Sequence, residues 1–229
     1  MARDATFVLA HLSDLHLGPL PPPRLAELAG KRVLGYLNWQ RRRHMLHRTE
    51  VIDLILADLQ SHGPDHVAVT GDLVNIALPA EFTAARQQLQ RVGLPDRVTF
   101  VPGNHDAYVR SAMHQPLRHW GDYMRGDKET AAPHFPFVRR RGPLALIGLS
   151  SAVPTAPFMA TGTLGPQQLS KLAQTLDTLG REQMFRVVLI HHPPVSMPKD
   201  RWKRLTDAPA FRRIIAEHGA ELILHGHDH

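Results

Sequence analysis

Five times along this chain a short apolar run ends abruptly in Asp, Asn or His. Residues 7–12 run into Ser13-Asp14-Leu15-His16, and residues 66–70 into Gly71-Asp72. Residues 97–101 run into Pro102-Gly103-Asn104-His105-Asp106, and residues 185–190 into His191-His192-Pro193-Pro194. The last run, residues 221–224, ends in His225-Gly226-His227-Asp228-His229. Short apolar runs bounded by turn residues read as buried strands. Residues 144–149 form another such run. Helical patterns lie between them, at residues 25–60, 79–91, 167–179 and 208–218. In the first of these, Val51, Ile52, Ile55, Leu56 and Leu59 share one face, and Gly63-Pro64 closes the helix. Residues 108–136 give no clear period. Strands alternating with helices make an α/β protein with much of its sheet covered on both faces. Open sheets of this kind bind ligands beyond the C-terminal ends of their strands, where these polar clusters stand.

The clusters are informative jointly rather than singly. Gly226-His227-x-His229 is the strongest, because alternate residues of an extended segment point the same way. If the strand ends converge, Asp14, His16, Asp72, Asn104, His191, His227 and His229 share one crevice. Carboxylates gather in a partly dry site only around a compensating cation. Imidazole with carboxylate suits Zn, Mn, Fe, Ni or Co. Seven groups exceed what one ion with an open position can use. They suit two ions about 3.5–4 Å apart that share a carboxylate, the arrangement used for phosphoryl transfer.

Composition removes competing chemistries. The 229 residues include no Cys, which excludes thiolate zinc sites, iron–sulfur clusters and Cys nucleophiles, while His numbers 16. Lys and Arg exceed Asp and Glu by 27 to 21. Residues 24–50 carry most of that excess, with seven Lys or Arg against two Glu. The rest is near neutral, which argues against a nucleic-acid partner. No apolar run approaches the roughly 18 residues of a membrane span. The N-terminal run meets Asp14 and His16 with no small-residue cleavage site, so a cytoplasmic protein is expected. One domain covering residues 1–229 is expected from the length.

In this order and at these strand ends, the five clusters resemble the calcineurin-like metallophosphoesterase superfamily, and most of all its bacterial cyclic-nucleotide and glycerophosphodiester phosphodiesterases. The resemblance runs from Asp14 to His229. It implies a four-layer α/β/β/α sandwich, two mixed sheets flanked by helices. Asp14, His16 and His229 would hold one metal, Asn104, His191 and His227 a second, and Asp72 would bridge them. Two divalent ions (Mn, Fe or Zn) and a bridging hydroxide that attacks phosphorus are implied as well. His105 matches the outer-shell His that stabilises the transition state or protonates the leaving oxygen, and Asp106 would orient that loop. His192 should point elsewhere, and His225 reads as a strand-end residue. Relatives continue past this point with further strands, so a C-terminal part after His229 is expected to be missing.

The expected substrate is a small phosphorylated molecule, a phosphodiester before a phosphomonoester. A lipid-linked nucleotide pyrophosphatase of the UDP-diacylglucosamine type is the alternative, although those enzymes carry Arg where this chain has His105. A non-enzymatic scaffold fits poorly, because every ligand position is filled. Related enzymes are often dimers or larger, so a homo-oligomer is also within the expectation. Residues 24–50 read as a basic amphipathic insertion near the mouth of the site. Such a helix can lie on the inner membrane surface, cap the substrate, or simply present a solvated face. His114, His119, Trp120 and Tyr123 either wall the pocket or pack a helix.

Overall fold

The buried strands hold this protein together, and their order places the polar loops. A computed structural model describes residues 6–41, 49–127, 132–195 and 201–228. In the first sheet β1 (Leu9–Leu12), β2 (His66–Val69) and β3 (Val98–Phe100) lie parallel and in that order. Every residue of β2 and β3 is buried, as expected of parallel strands covered on both faces. Their crossovers hold α1 (Lys31–Arg41), α2 (Thr49–His62) and α3 (Pro79–Val92). After β3 come α4 (Gln115–Trp120) and two single turns of 3-10 helix.

The second sheet has the order β4 (Phe137–Arg141), β5 (Leu144–Gly148), β6 (Phe185–Leu189) and β7 (Leu222–Leu224). Here β4 is antiparallel to β5 and the others are parallel. The helices α5 (Gly165–Arg181) and α6 (Ala208–His218) belong to this half. Alternate residues of its strands enter different cores. Leu146, Val187 and Leu189 pack with Ile52, Leu56, Phe82, Leu89 and Phe100 of the first half. Ala145, Ile147 and Val188 pack with Leu172, Leu176 and Phe211 of α5 and α6. Period-two alternation puts neighbouring side chains on opposite faces, and the result is helix, sheet, sheet, helix. No helix among the described residues is long and apolar enough to cross a membrane.

Two elements differ from the sequence reading. The helical pattern at residues 25–60 divides into a 3-10 turn at Leu25–Leu28, then α1, then α2. Gly30, at φ 66°, breaks the chain between the first two. The second difference is β4, a stretch ending in Arg139-Arg140-Arg141 to which the sequence reading assigns no element. Arg139 is nonetheless buried, because its guanidinium donates to the carbonyls of Pro95, Val98, Asp122 and Arg125.

Candidate metal centre

The loops after β1, β2, β3, β6 and β7 meet at one place, and their backbones are bent to do so. Seven non-glycine residues among those described have positive φ. Four of them are expected ligands: Asp14 (55°), His16 (39°), Asp72 (57°) and His227 (74°). Such conformations cost about 1–3 kcal/mol each and persist only where surroundings enforce them, most often at functional sites. Here the Asp14 and His16 amides donate to the Gly71 and Asp72 carbonyls at 3.1 and 2.9 Å. The buried Asp106 carboxylate accepts four amides, those of Asp72, Leu73, Val74 and Gly103. One side chain thereby ties the β2 loop to the β3 loop. Two glycines are required by close approach. A Cβ on Gly103 would intrude on the Asp72 carboxylate, and one on Gly226 on Ser13 and Asp14.

Asp72 is the hub. The ligand-type atoms of His16, Asp72 and His105 lie within 4.8 Å of one another, as do those of Asp72, His191 and His227. Asp72 Oδ1 accepts the His105 amide at 2.8 Å, and Oδ2 lies 3.4 Å from His191 Nε2 and 3.8 Å from His16 Nε2. Asn104 Oδ1 is 3.1 Å and His227 Nδ1 3.2 Å from the same His191 Nε2. Three rings are fixed in one tautomer. His16, His105 and His191 donate Nδ1–H to the carbonyls of Val74, Asn75 and Thr70, which turns each Nε2 into the ligand-type atom.

This arrangement fits a cation. With His191 neutral, its Nε2, Asp72 Oδ2 and Asn104 Oδ1 are all lone-pair atoms in a dry space. The buried Asp14 Oδ1 and His227 Nε2 have no hydrogen-bond partner. Burial works to raise the Asp72 carboxyl, yet His191, His105 and His16 hold it well below its ordinary value. Burial works to lower His191, but Asp72 and Asp14 push it up to about 9, so a proton is drawn to where a metal would sit. His227 is pushed down to about 4 by burial and by His191. Burial and the Asp72 carboxylate push Asp106 up to about 7.

Six of the seven expected ligands therefore come together in one crevice, while His229 lies outside the described residues, as do residues 42–48 of the basic segment. Asp14 is in neither triad. Its Oδ2 accepts the Ser13 hydroxyl at 2.6 Å and the His227 amide at 2.9 Å. His105 stands in the first triad, closer to Asp72 than an outer-shell residue need be. His192 is occupied elsewhere, with Nδ1 accepting from Ser151 Oγ and Nε2 donating to the Ala160 carbonyl. His225 is exposed at the end of β7. Trp120 and Tyr123 pack in the core and His119 stacks on Phe82, so these three pack helices, whereas His114 is exposed. Sequence reading missed Asn75 and Glu81. Buried Glu81 accepts the amides of Asn75, Ile76 and Leu78, and Asn75 carries the carbonyl that holds His105. Glu81 falls in the first turn of α3 three residues after Leu78, the one signal that could have marked it.

A cleft of about 800 Å³ opens beside Asn104 and His105, between α1 and residues 157–160 and 202–203.

Comparison with known proteins gives the following. A family model described as calcineurin-like phosphoesterase matches residues 7–229. A Synechococcus sp. protein named "probable cyclic nucleotide phosphodiesterase" is 28% identical over 232 residues, which span this whole chain and 76% of that protein. Among solved structures, the Haemophilus influenzae NAD nucleotidase NadN aligns with 96% of the chain at 12% identity and a TM-score of 0.43. This chain spans 38% of the length of that nucleotidase.

Proposed function

This chain belongs to the calcineurin-like phosphoesterase family, and from that premise we propose that it hydrolyses phosphodiesters at a centre for two divalent transition-metal ions. The observation that carries the reading is the pair of triads sharing Asp72. A carboxylate common to two sets of imidazoles is what two adjacent cations require. On one side, Asn104, His191 and His227 would be the donors, with Asp72 shared. On the other, His16 would act with Asp14 and His229. Divalent ions held there would lend positive charge to the phosphoryl oxygens and lower the pKa of an attacking water.

The chain's own residues do the rest. Carbonyls of Val74, Asn75 and Thr70 fix the rings, so little reorganisation accompanies the reaction. His105, with its Nδ1 proton committed to the Asn75 carbonyl, acts from Nε2, which takes up a proton and passes it to the leaving oxygen. Water oxygen forms the new P–O bond, the bond to one alcohol breaks, and a phosphomonoester and an alcohol result. One water proton is released and one is taken up by the leaving group. The name of the Synechococcus relative supports a diester over a monoester.

The test is hydrolysis of bis-p-nitrophenyl phosphate beside p-nitrophenyl phosphate, with Mn²⁺, with EDTA, and with Asp72→Ala. Diester turnover that EDTA and the variant both abolish is expected. Monoester preference would overturn the diesterase reading. A purified chain that binds no metal and gains no thermal stability from Mn²⁺ would overturn the centre itself.

A further inference from the structure

The cleft beside the centre has a lining that a phosphate alone does not need. Its described lining residues include Lys31, Arg41 and Lys203 and no Asp or Glu. Charge therefore favours an anionic occupant. Yet the remaining wall is mostly apolar, and much of it is exposed. Leu34 and Leu37 of α1 are each 42% exposed, Trp202 is 50% and Phe158 is 87%. Apolar groups gathered on one exposed face mark a binding surface rather than a defect of packing.

The lining also indicates what kind of apolar group fits. A flat aromatic ligand needs open ring faces to stack on. Tyr108 stacks against His105 at 5.4 Å and 18°, and Lys31 Nζ lies over its ring at 4.5 Å. Arg201 lies over the Trp202 ring at 4.7 Å. Phe158 keeps an open ring face, and Leu34, Leu37, Ile76, Met159 and Ala160 supply the aliphatic part of the same wall. The aliphatic contacts suit a flexible hydrocarbon, while Asn38, Asn75 and Asn104 bring amides to the same lining. The wall is fixed in place, because Lys31 Nζ donates to Thr155 Oγ1 at 2.9 Å and to the Met159 carbonyl at 3.1 Å. Lys31 thus ties α1 to the far side of the cleft.

We propose that the cleft between α1 and residues 157–160 takes the hydrocarbon chain of an anionic, lipid-type phosphodiester, with Leu34, Leu37 and Phe158 selecting the chain while the Asp72 cluster receives the phosphate. This rests on the phosphodiesterase reading above. The site is built for one chemistry, an amphiphile with a diester head, whether the amphiphile arrives free or from an anionic membrane.

The test compares p-nitrophenyl methyl phosphate, p-nitrophenyl octyl phosphate below its micelle concentration, and the p-nitrophenyl ester of thymidine 5′-phosphate, all with the full chain and Mn²⁺. Octyl should exceed methyl in kcat/KM by about tenfold or more, since each buried methylene contributes up to roughly fourfold. In Leu34→Ser/Leu37→Ser and in Phe158→Ser that ratio should fall towards one. Equal turnover of octyl and methyl esters, or preference for the thymidine ester, would overturn the proposal. Calorimetric binding of octyl phosphate against methyl phosphate separates the two readings. Tighter octyl binding that the variants weaken, without turnover of any diester, would fault the hydrolytic reading and support the cleft. Equal binding would fault the cleft. Co-sedimentation with phosphatidylglycerol vesicles would support a membrane source, and octyl preference without it a dispersed lipid.

Discussion

Asp72 makes a hydrogen bond on one oxygen and faces imidazoles with the other, so its two atoms answer to different losses. Asn in its place keeps the contact to the His105 amide and removes the charge that holds a cation. Asp72→Asn should therefore lose the Mn²⁺-induced rise in Tm, roughly 5–10 °C for the wild type at a hundredfold excess over Kd. Its metal-free Tm should stay within a few degrees of wild type, and differential scanning calorimetry reads both. Asp106 differs, because both its oxygens accept amides. Asp106→Asn turns an N–H₂ towards N–H groups. It should cost about 2–4 kcal/mol of stability and weaken Mn²⁺ binding some 10–100-fold, measured by urea denaturation and by metal titration. That Asp14, His16, Asp72, Asn104, His191 and His227 would meet was legible in sequence, because each is a polar residue at a strand end. The role of Asn75 was not, since its carbonyl meets His105 only after β2 and β3 are paired.

At the scale of elements, α1 does more than line a cleft. Arg32 donates to the Ile76 and Ala77 carbonyls while Glu81 of α3 accepts the amides of Asn75, Ile76 and Leu78. The loop that carries the His105 partner is gripped from both polarities. Glu81→Gln should lower kcat more than it raises KM, with a stability cost of about 1–3 kcal/mol for the amides it leaves poorly paired. Steady-state kinetics beside urea denaturation would read both, and an unchanged kcat would leave Glu81 only a structural role. Periodicity marked α6 and the main strands because their apolar spacing is regular. It failed for β4, where alternation is hidden by three arginines, one of which turns inward to meet carbonyls from 14 to 44 residues away. It also merged α1 with α2, since α1 buries no residue fully: Tyr36 and Trp39 pack against the core only in part, while Leu34 and Leu37 line the cleft.

For the whole molecule, the α/β alternation announced a covered sheet, while its division into two stacked sheets was implied by the family resemblance and is seen in which core each strand face enters. One clasp shows how the second sheet depends on pH. Arg186 at the start of β6 holds Glu221, just ahead of β7, through contacts at 2.6 and 3.1 Å. That pairing pulls the Glu221 carboxyl down to about 2. A depressed carboxylate stabilises the fold fully above its unfolded pKa of about 4.3, and the contribution disappears as pH falls towards about 2. The pair is partly exposed, so its share is about 1 kcal/mol after solvent screening, or roughly 2–4 °C. The Tm gap between wild type and Glu221→Gln should hold that size at pH 6 and close by pH 2. A larger consequence follows from the bond between the His227 amide and the Asp14 carboxylate, which spans 213 residues. At about 5–20 residues per second, a ribosome needs roughly 10–40 s to make the second group after the first. Through that interval the Asp14 loop takes shape without the amide that its carboxylate accepts. The cluster around Asp72 is thus closed only once the strand that comes late in the chain has been made and docked beside β6.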